Sequence, residues 1–325
     1  MSILGRLLGR RSGREVAPVV DPACGDEGLR LMLAQAEAGD WPALRSGLAA
    51  VEDQADLTWL LDRVAGTSGS EEWLAEAVAD EPDSALPLLL SGARHVSWAW
   101  EARTRARAQY VSREQWQVFG ERLEIAERQL FEVAEREPSW LAPWYFLQIS
   151  GRGASLGPDV ARYRFEAALR RVPDHLGSHQ QRLQQLCAKW GGSHEEMHRF
   201  ARTAMLSAPE GSPLGELVAL ACIEHWLDLD SGDDRAYIAG PATRERLHEA
   251  AERSVLHPAY GRPRGWQRAF NTFAMAFSIA GQPATAYQLF CQLGDTVTES
   301  PWDYLSNSPA EAFATYRNAA ARAAS

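Results

Sequence analysis

Prolines that end apolar, helix-period segments constrain the fold of this 325-residue chain more than any other feature. In three segments an apolar residue stands eight positions before the proline and a small residue stands five positions before it. The three sets are Leu74, Ala77 and Pro82; Phe165, Ala168 and Pro173; and Ala201, Ala204 and Pro209. Proline stops a helix because it lacks the backbone N–H and its ring clashes with the preceding turn. The small residue lets a neighbouring helix approach, as the second helix of a hairpin requires.

The spacing of the prolines predicts a repeat. Pro138 and Pro173 are 35 residues apart, and Pro173 and Pro209 are 36 residues apart. Both spacings are close to the tetratricopeptide (TPR) period of about 34 residues. Residues 65–260 therefore resemble a TPR-type helical repeat protein. That resemblance implies an all-α chain, a TPR-like α-solenoid of antiparallel helix hairpins with a concave groove.

Two stretches carry a narrower resemblance. Residues 97–123 (SWAWEARTRARAQYVSREQWQVFGERL) and residues 188–202 (AKWGGSHEEMHRFAR) resemble an uncharacterised bacterial family of unknown function. The resemblance implies an all-helical, TPR-like chain and implies no activity.

The chain divides into two parts on composition. We expect a basic tail and linker over residues 1–23 and a helical repeat domain over residues 24–325. Within that domain the clearest repeats span residues 65–260, and residues 261–325 form a helical cap. Helix signals predict boundaries inside it. Among the predicted segments are Glu27 to Ala38, Glu71 to Asp80, a fifth helix ending near Arg94, and Glu114 to Glu137 capped by Ser112.

Composition limits the partners and the compartment. The net charge is −10, with 33 basic residues against 43 acidic ones. We therefore expect no nucleic-acid partner, since such proteins carry a basic footprint. Four cysteines without a CxxC pair predict buried free thiols in a reducing cytoplasm. No apolar run approaches the ~20 residues of a membrane span, and the N-terminal apolar run is too short for a secretory signal.

One short motif suggests a metal site. Residues 194–198 read His-Glu-Glu-Met-His, which fits H-E-x-x-H. On a helix, His194 and His198 share a face and can bind one zinc, while the glutamate polarises a bound water. Ser193 and Glu196 also read as a capping box at a helix start. A zinc metallopeptidase is therefore an alternative function. Third-ligand candidates, by distance in sequence alone, are Glu216, Glu224 and His225.

The leading hypothesis is a non-enzymatic protein–protein interaction module, an adaptor that binds a peptide or a partner helix in the concave groove and needs no cofactor. Arginine and aromatic residues are enriched at binding hot spots. The candidate partner-binding residues near the central hairpins are Arg103, Arg105, Arg107, Trp144, Tyr145 and Arg164. A second alternative is a membrane-peripheral adaptor, because residues 1–14 could form a basic amphipathic helix that contacts an anionic membrane.

Overall fold

The fold is all-α, as the sequence predicts. The structure is a computed structural model that describes residues 18–104 and 110–324. In this part of the chain the α-helices are α1 (Glu27–Glu37), α2 (Trp41–Ala49), α3 (Gln54–Val64), α4 (Glu71–Asp80), α5 (Ala85–Arg103), α6 (Arg113–Arg136), α7 (Ala142–Gly153), α8 (Pro158–Leu169), α9 (Leu176–Gln185), α10 (His194–Ser207), α11 (Glu216–Asp228), α12 (Asp233–Ile238), α13 (Pro241–Arg253), α14 (Gln267–Ile279), α15 (Pro283–Leu293) and α16 (Pro309–Ala324). Short 3₁₀ helices cover Ala188–Trp190, Pro213–Gly215 and Trp302–Tyr304.

Capping chemistry sets several helix starts. The Ser112 hydroxyl accepts a hydrogen bond from the Gln115 backbone N–H at 3.2 Å, and the Gln115 side chain accepts one from the Ser112 N–H at 2.9 Å. This reciprocal pair is a capping box at the start of α6. At the start of α10, Ser193 accepts from the Glu196 N–H at 3.2 Å. The Glu196 carboxylate accepts from the Ser193 hydroxyl instead of its N–H, so this box is only half formed.

The repeated apolar positions face the core. Leu74, Ala77, Ala168, Ala201 and Ala204 are all buried. Small residues at these positions allow close helix packing, which is the reason for their recurrence before each proline.

The helices pack in two rows. Each helix in the inner row packs on the next, in the order α3, α5, α7, α9, α11 and α14. The outer row lies against the inner one and consists of α4, α6, α8, α10, α13 and α15. The apolar core has two large parts, one between Ala23 and Ala168 and the other between Leu183 and Ala320.

A short parallel strand pair joins the two ends of the described chain. Strand β1 (Val19–Val20) pairs with β2 (Thr296–Val297), with Val19 opposite Thr296. The Asp21 N–H extends the ladder by donating to the Val297 carbonyl at 3.1 Å. Strand β1 falls in the stretch that the sequence predicts to be a linker, so part of that stretch is held against the C-terminal region.

Side chains reinforce this closure. Arg264, just before α14, pairs with Asp26 at 3.0 Å and with Asp56 at 3.3 Å. Gly265 has a φ of +73° and lies so close to Trp59 that a Cβ would be 2.4 Å from the indole nitrogen. The first helices of the chain therefore contact the segment that leads into α14.

Candidate functional site

Cavities adjoin the inner row within the described residues, and Asp62 on α3 lines three of them. We name each by one lining residue. The Glu216 cavity has a volume of about 570 Å³, the Cys24 cavity about 700 Å³ and the Trp190 cavity about 1010 Å³. These volumes are those of small-molecule or side-chain binding sites in proteins, roughly 300–1,000 Å³.

The Glu216 cavity lies between the two parts of the core. Its lining comes from α3, α7 and the start of α9 on one side, and from residues 213–216 and 260–269 on the other. Four aromatic side chains form apolar walls, namely Trp59, Tyr145, Tyr260 and Trp266. Five carboxyl groups and two guanidinium groups also line it: Asp53, Asp56, Asp62, Asp174, Glu216, Arg264 and Arg268.

Glu216 is the most deeply placed of these acids, with 2% of its surface exposed. The Thr272 hydroxyl lies 2.8 Å from Oε1, and the Gln180 amide donates to Oε2 at 3.1 Å. Across the residues that the structure describes, no basic nitrogen lies within the 4.0 Å of an ion pair. Burial raises the pKa of the Glu216 carboxyl above its ordinary value, against a smaller opposing effect of Arg268.

The Thr272 hydroxyl shows why the neutral carboxyl fits. Its oxygen is 2.8 Å from Glu216 Oε1 and 3.0 Å from the Arg268 carbonyl oxygen. A hydroxyl has one hydrogen to donate. Both contacts are satisfied if Thr272 donates to the carbonyl and a protonated Glu216 donates to Thr272. When Thr272 and Gln180 instead donate to the carboxylate, their hydrogen bonds lower the pKa of Glu216, against the larger effect of burial.

Two further groups in this cavity lack partners. The Tyr260 hydroxyl is buried without a hydrogen bond to any described residue, and burial raises the pKa of its phenol. The Arg268 guanidinium forms no hydrogen bond or ion pair within residues 18–104 and 110–324. Buried polar groups are normally paired, so the Tyr260 hydroxyl is unused hydrogen-bonding capacity, whereas Arg268 is only partly buried.

Asp62 stands where the three cavities meet. It pairs with Arg63, and the Tyr145 hydroxyl donates to it at 3.1 Å. Burial alone would raise the pKa of Asp62, but Arg63 and Arg268 hold it below the ordinary value. Arg63 therefore balances the negative charge of Asp62, whereas no cation among the described residues lies within ion-pair distance of Glu216.

Contacts between arginine and tryptophan side chains distinguish the Trp190 cavity from the Glu216 cavity. The Arg103 guanidinium lies over the rings of Trp100 and Trp190, at 5.4 and 6.0 Å from the ring centroids. Arg152 lies 5.8 Å from both rings and donates to the Gln181 side chain at 2.8 Å. Burial lowers the pKa of Arg152 to about 10. The segment Ser300, Asp303 and Tyr304 lines the opposite side.

The structure separates the predicted partner-binding residues. Arg103 lines the Trp190 cavity and Tyr145 lines the Glu216 cavity. Arg105 and Arg107 lie outside the described residues.

Trp144 and Arg164 are buried and line none of these cavities. The Trp144 ring is buried, with the Arg171 guanidinium 5.0 Å from its centroid. The Arg164 guanidinium is buried, pairs with Glu127 at 2.6 Å and donates to the Leu147 carbonyl at 2.6 Å.

The H-E-x-x-H histidines belong to a cluster at the side of α10. His198 Nε2 lies 3.1 Å from His225 Nδ1 and 3.0 Å from the Tyr237 hydroxyl. The His194 ring stacks on His225 at 3.8 Å and contacts Asp228 at 3.1 Å. Burial lowers the pKa of both His198 and His225 to about 4.

This cluster is arranged around hydrogen bonds and ring stacking. In residues 18–104 and 110–324 no three His, Cys, Asp or Glu side chains are placed to hold one metal ion. Of the third-ligand candidates, His225 is beside His198, whereas Glu224 pairs with Lys189 and Glu216 lines its own cavity.

The cysteines are unpaired, and all four lie in described residues. Cys24, Cys187 and Cys222 are buried, whereas Cys291 is exposed, contrary to the expectation of burial throughout. No helix among the described residues has both the length and the apolar character needed to cross a bilayer.

No protein-family model matches this chain, and no curated protein sequence matches it. The site is therefore defined by its own geometry.

Sequence reasoning considered Glu216 only as a zinc ligand and did not consider Trp59, Tyr260 or Arg268. Glu224 interrupts the otherwise apolar run of α11, whereas Glu216 is its first residue, so no local sequence signal marks Glu216 as buried.

Proposed function

We propose that this chain is a non-enzymatic, TPR-like interaction module of the cytoplasm that binds an extended peptide segment of a partner protein. The observation that carries the proposal is the Glu216 cavity, which combines aromatic walls with polar groups that lack partners. Aromatic side chains provide large contact area at low entropic cost, and unpaired polar groups orient a ligand. Binding of this kind needs no cofactor.

The shape of the inner surface favours an extended segment over a partner helix. Ser300, Asp303 and Tyr304 face Trp100 and Lys189 across the Trp190 cavity, so the C-terminal region covers part of the surface beside the inner row. A helix with its side chains is about 10–12 Å across and needs a continuous groove. Adjoining cavities instead fit an extended chain that inserts single side chains.

A display experiment tests this proposal. Peptides would be selected from a random library on the purified full-length protein, and their affinities measured by calorimetry. Ala55 lines the Glu216 cavity, so Ala55→Phe should fill it and lower the affinity of selected peptides at least tenfold. Ala49→Phe is the matched control, since Ala49 is exposed at the end of α2, outside the cavity lining.

Either of two results would contradict the proposal. If the selection enriches no binding peptide, the protein is not a peptide-binding module. Peptides that bind Ala55→Phe as tightly as the wild type would place binding elsewhere on the molecule.

A further inference from the structure

We propose that the Glu216 cavity binds a cationic group, an ammonium or a guanidinium, with Glu216 as its counter-ion and the aromatic side chains as its walls. This inference rests on the proposed function and specifies the chemistry that the cavity selects. Charge, hydrogen-bonding capacity and the nature of the walls all favour a cation.

The charge of the lining favours a cation. Five carboxyl groups face two guanidinium groups in this cavity. Arg264 is already engaged by Asp26 and Asp56. Arg268 acts on both Asp62 and Glu216 without reaching ion-pair distance of either. Asp62 and Asp56 are already paired with Arg63 and Arg264, yet the lining still has more carboxyl than guanidinium groups, which favours an added positive charge over a negative one.

Glu216 has room for another donor. Each carboxylate oxygen can accept two hydrogen bonds, and each has one polar neighbour, Thr272 or Gln180. A buried carboxylate without a nearby cation is destabilising, and it becomes favourable when a cation pairs with it. An entering ammonium or guanidinium supplies both the charge and the missing donors. The Tyr260 hydroxyl is a further hydrogen-bonding group in the same wall.

The walls suit a cation with an apolar stem. Rings of Trp and Tyr attract cations through their negative faces. Trp266 already makes such a contact, because the Arg262 guanidinium lies 4.4 Å from its ring centroid. Trp59, Tyr145 and Tyr260 offer further aromatic surface inside the cavity. Lysine and arginine side chains combine a cationic head with an aliphatic stem.

Binding of the cation is coupled to the release of one proton from Glu216. In the empty cavity the neutral Glu216 carboxyl is favoured, for the reasons given above. When the cation enters, the carboxyl proton leaves to solvent and the carboxylate pairs with the cation, so one positive charge replaces another. The charged and titratable groups that face this exchange are Arg268 on α14, Tyr260 before α14, and His175 and Asp62 across the cavity.

Calorimetry with defined probes tests the inference. The probes are N-acetyl-lysine methylamide, the arginine analogue and the neutral norleucine analogue, titrated into the full-length protein. We expect the cationic probes to bind at least tenfold more tightly than norleucine. Titration in two buffers of different ionisation enthalpy should show proton release on binding.

The decisive variant is Glu216→Gln. It should lower the affinity for the cationic probes at least tenfold and abolish proton release, while the melting temperature stays equal or rises because a buried acid is removed. Glu252→Gln is the matched control, since Glu252 is exposed on α13. A purely structural Glu216 would instead show lower stability with unchanged cation preference. Equal binding of norleucine, or unchanged affinity in Glu216→Gln, would overturn the inference.

Two further arms separate the source of the cation and the two proposals. A pentapeptide with a central lysine is compared with n-butylammonium. Tight binding of the peptide supports a peptide source. If butylammonium binds and the peptide does not, the cation site is supported and the peptide-binding function is contradicted. The selected peptides could instead lose affinity in Ala55→Phe and yet need neither a cationic residue nor Glu216. That result would support the peptide-binding function and contradict the cation site.

Discussion

Glu216 opens α11, at a position where a carboxylate ordinarily faces water and stabilises the free N–H groups of the first turn. Here α9 and α14 cover it, through Gln180 and Thr272. A single sequence gives the favourable helix-start interpretation and contains no local sign of that cover. The burial of Glu216 depends on contacts that are distant in the chain, which is why the sequence does not reveal the cavity.

His175 gives a prediction at the same scale. It caps α9, where its Nδ1 accepts from the Ser178 N–H at 3.1 Å. Burial lowers the pKa of His175 from 6.5 to about 4, with His179 acting in the same direction and Asp53 and Asp62 opposing it. The unfolded state therefore binds more protons than the folded state between these values. Stability contributed by the neutral ring is present above pH 6.5 and falls as the pH drops towards 4.

The variant His175→Asn keeps a good capping residue and removes the titration. We expect it to reduce the loss of unfolding free energy between pH 6.5 and 4 by up to about 3 kcal/mol, since one pKa unit corresponds to about 1.4 kcal/mol. Urea unfolding at a series of pH values measures this. A wild-type slope in the variant would show that His175 does not control the acid sensitivity.

Helix ends are the elements that local chemistry determines best. Segment α4 begins and ends at the predicted residues, and α6 begins directly after the predicted cap Ser112. The fifth helix runs to Arg103 instead of ending near Arg94. Side-chain contacts explain the longer helix. Buried Arg94 pairs with Glu71 on α4 and with Glu101, which lies two turns further along the same face of α5. No local residue pattern predicts these two contacts.

The contact between α6 and α8 gives a second prediction. Arg164 on α8 is buried and paired with Glu127 on α6. Glu127→Leu would leave the guanidinium buried without a counter-ion, so we expect the unfolding free energy to fall by about 3 kcal/mol. Chemical unfolding measures the change.

The double variant Glu127→Leu with Arg164→Met should recover much of that loss, because an apolar pair replaces both charges. A double variant as unstable as the single one would contradict this account. Peptide affinity should stay unchanged in the double variant, since neither residue lines a cavity.

At the scale of the whole molecule, the closure of the chain could not be predicted from the sequence. The strand pair has two residues on each side, too few for a period-two pattern to be seen. The repeat spacing predicts neighbouring hairpins, and it contains nothing about contacts between the first and last helices. The inner-row cavities depend on this closure because their lining comes from both parts of the core.

Gly265 tests the closure directly. Gly265→Ala places a Cβ against Trp59 and forces alanine into a left-handed conformation, which together should cost about 2–4 kcal/mol. We expect a lower melting temperature and weaker cation binding, since the Glu216 cavity loses its shape. Scanning calorimetry should show less cooperative unfolding as the two parts of the core separate.

Gly261→Ala is the control, because a Cβ there meets nothing within 4 Å. It should melt and bind as the wild type does. Equal behaviour of the two variants would show that closure at Gly265 is not needed for the cavity.

The pairing of Val20 with Val297 also has a consequence during synthesis. Ribosomes add roughly 5–20 residues each second and N-terminal regions begin to fold first. A nascent chain that ends before residue 260 can form contacts within the first part of the core, yet it leaves Trp59 and Tyr145 uncovered on one side and β1 unpaired. Such exposed aromatic surface is what chaperones recognise. The proposed ligand binding therefore needs residues 260–269 in place, so a product truncated before them should not compete for the ligand.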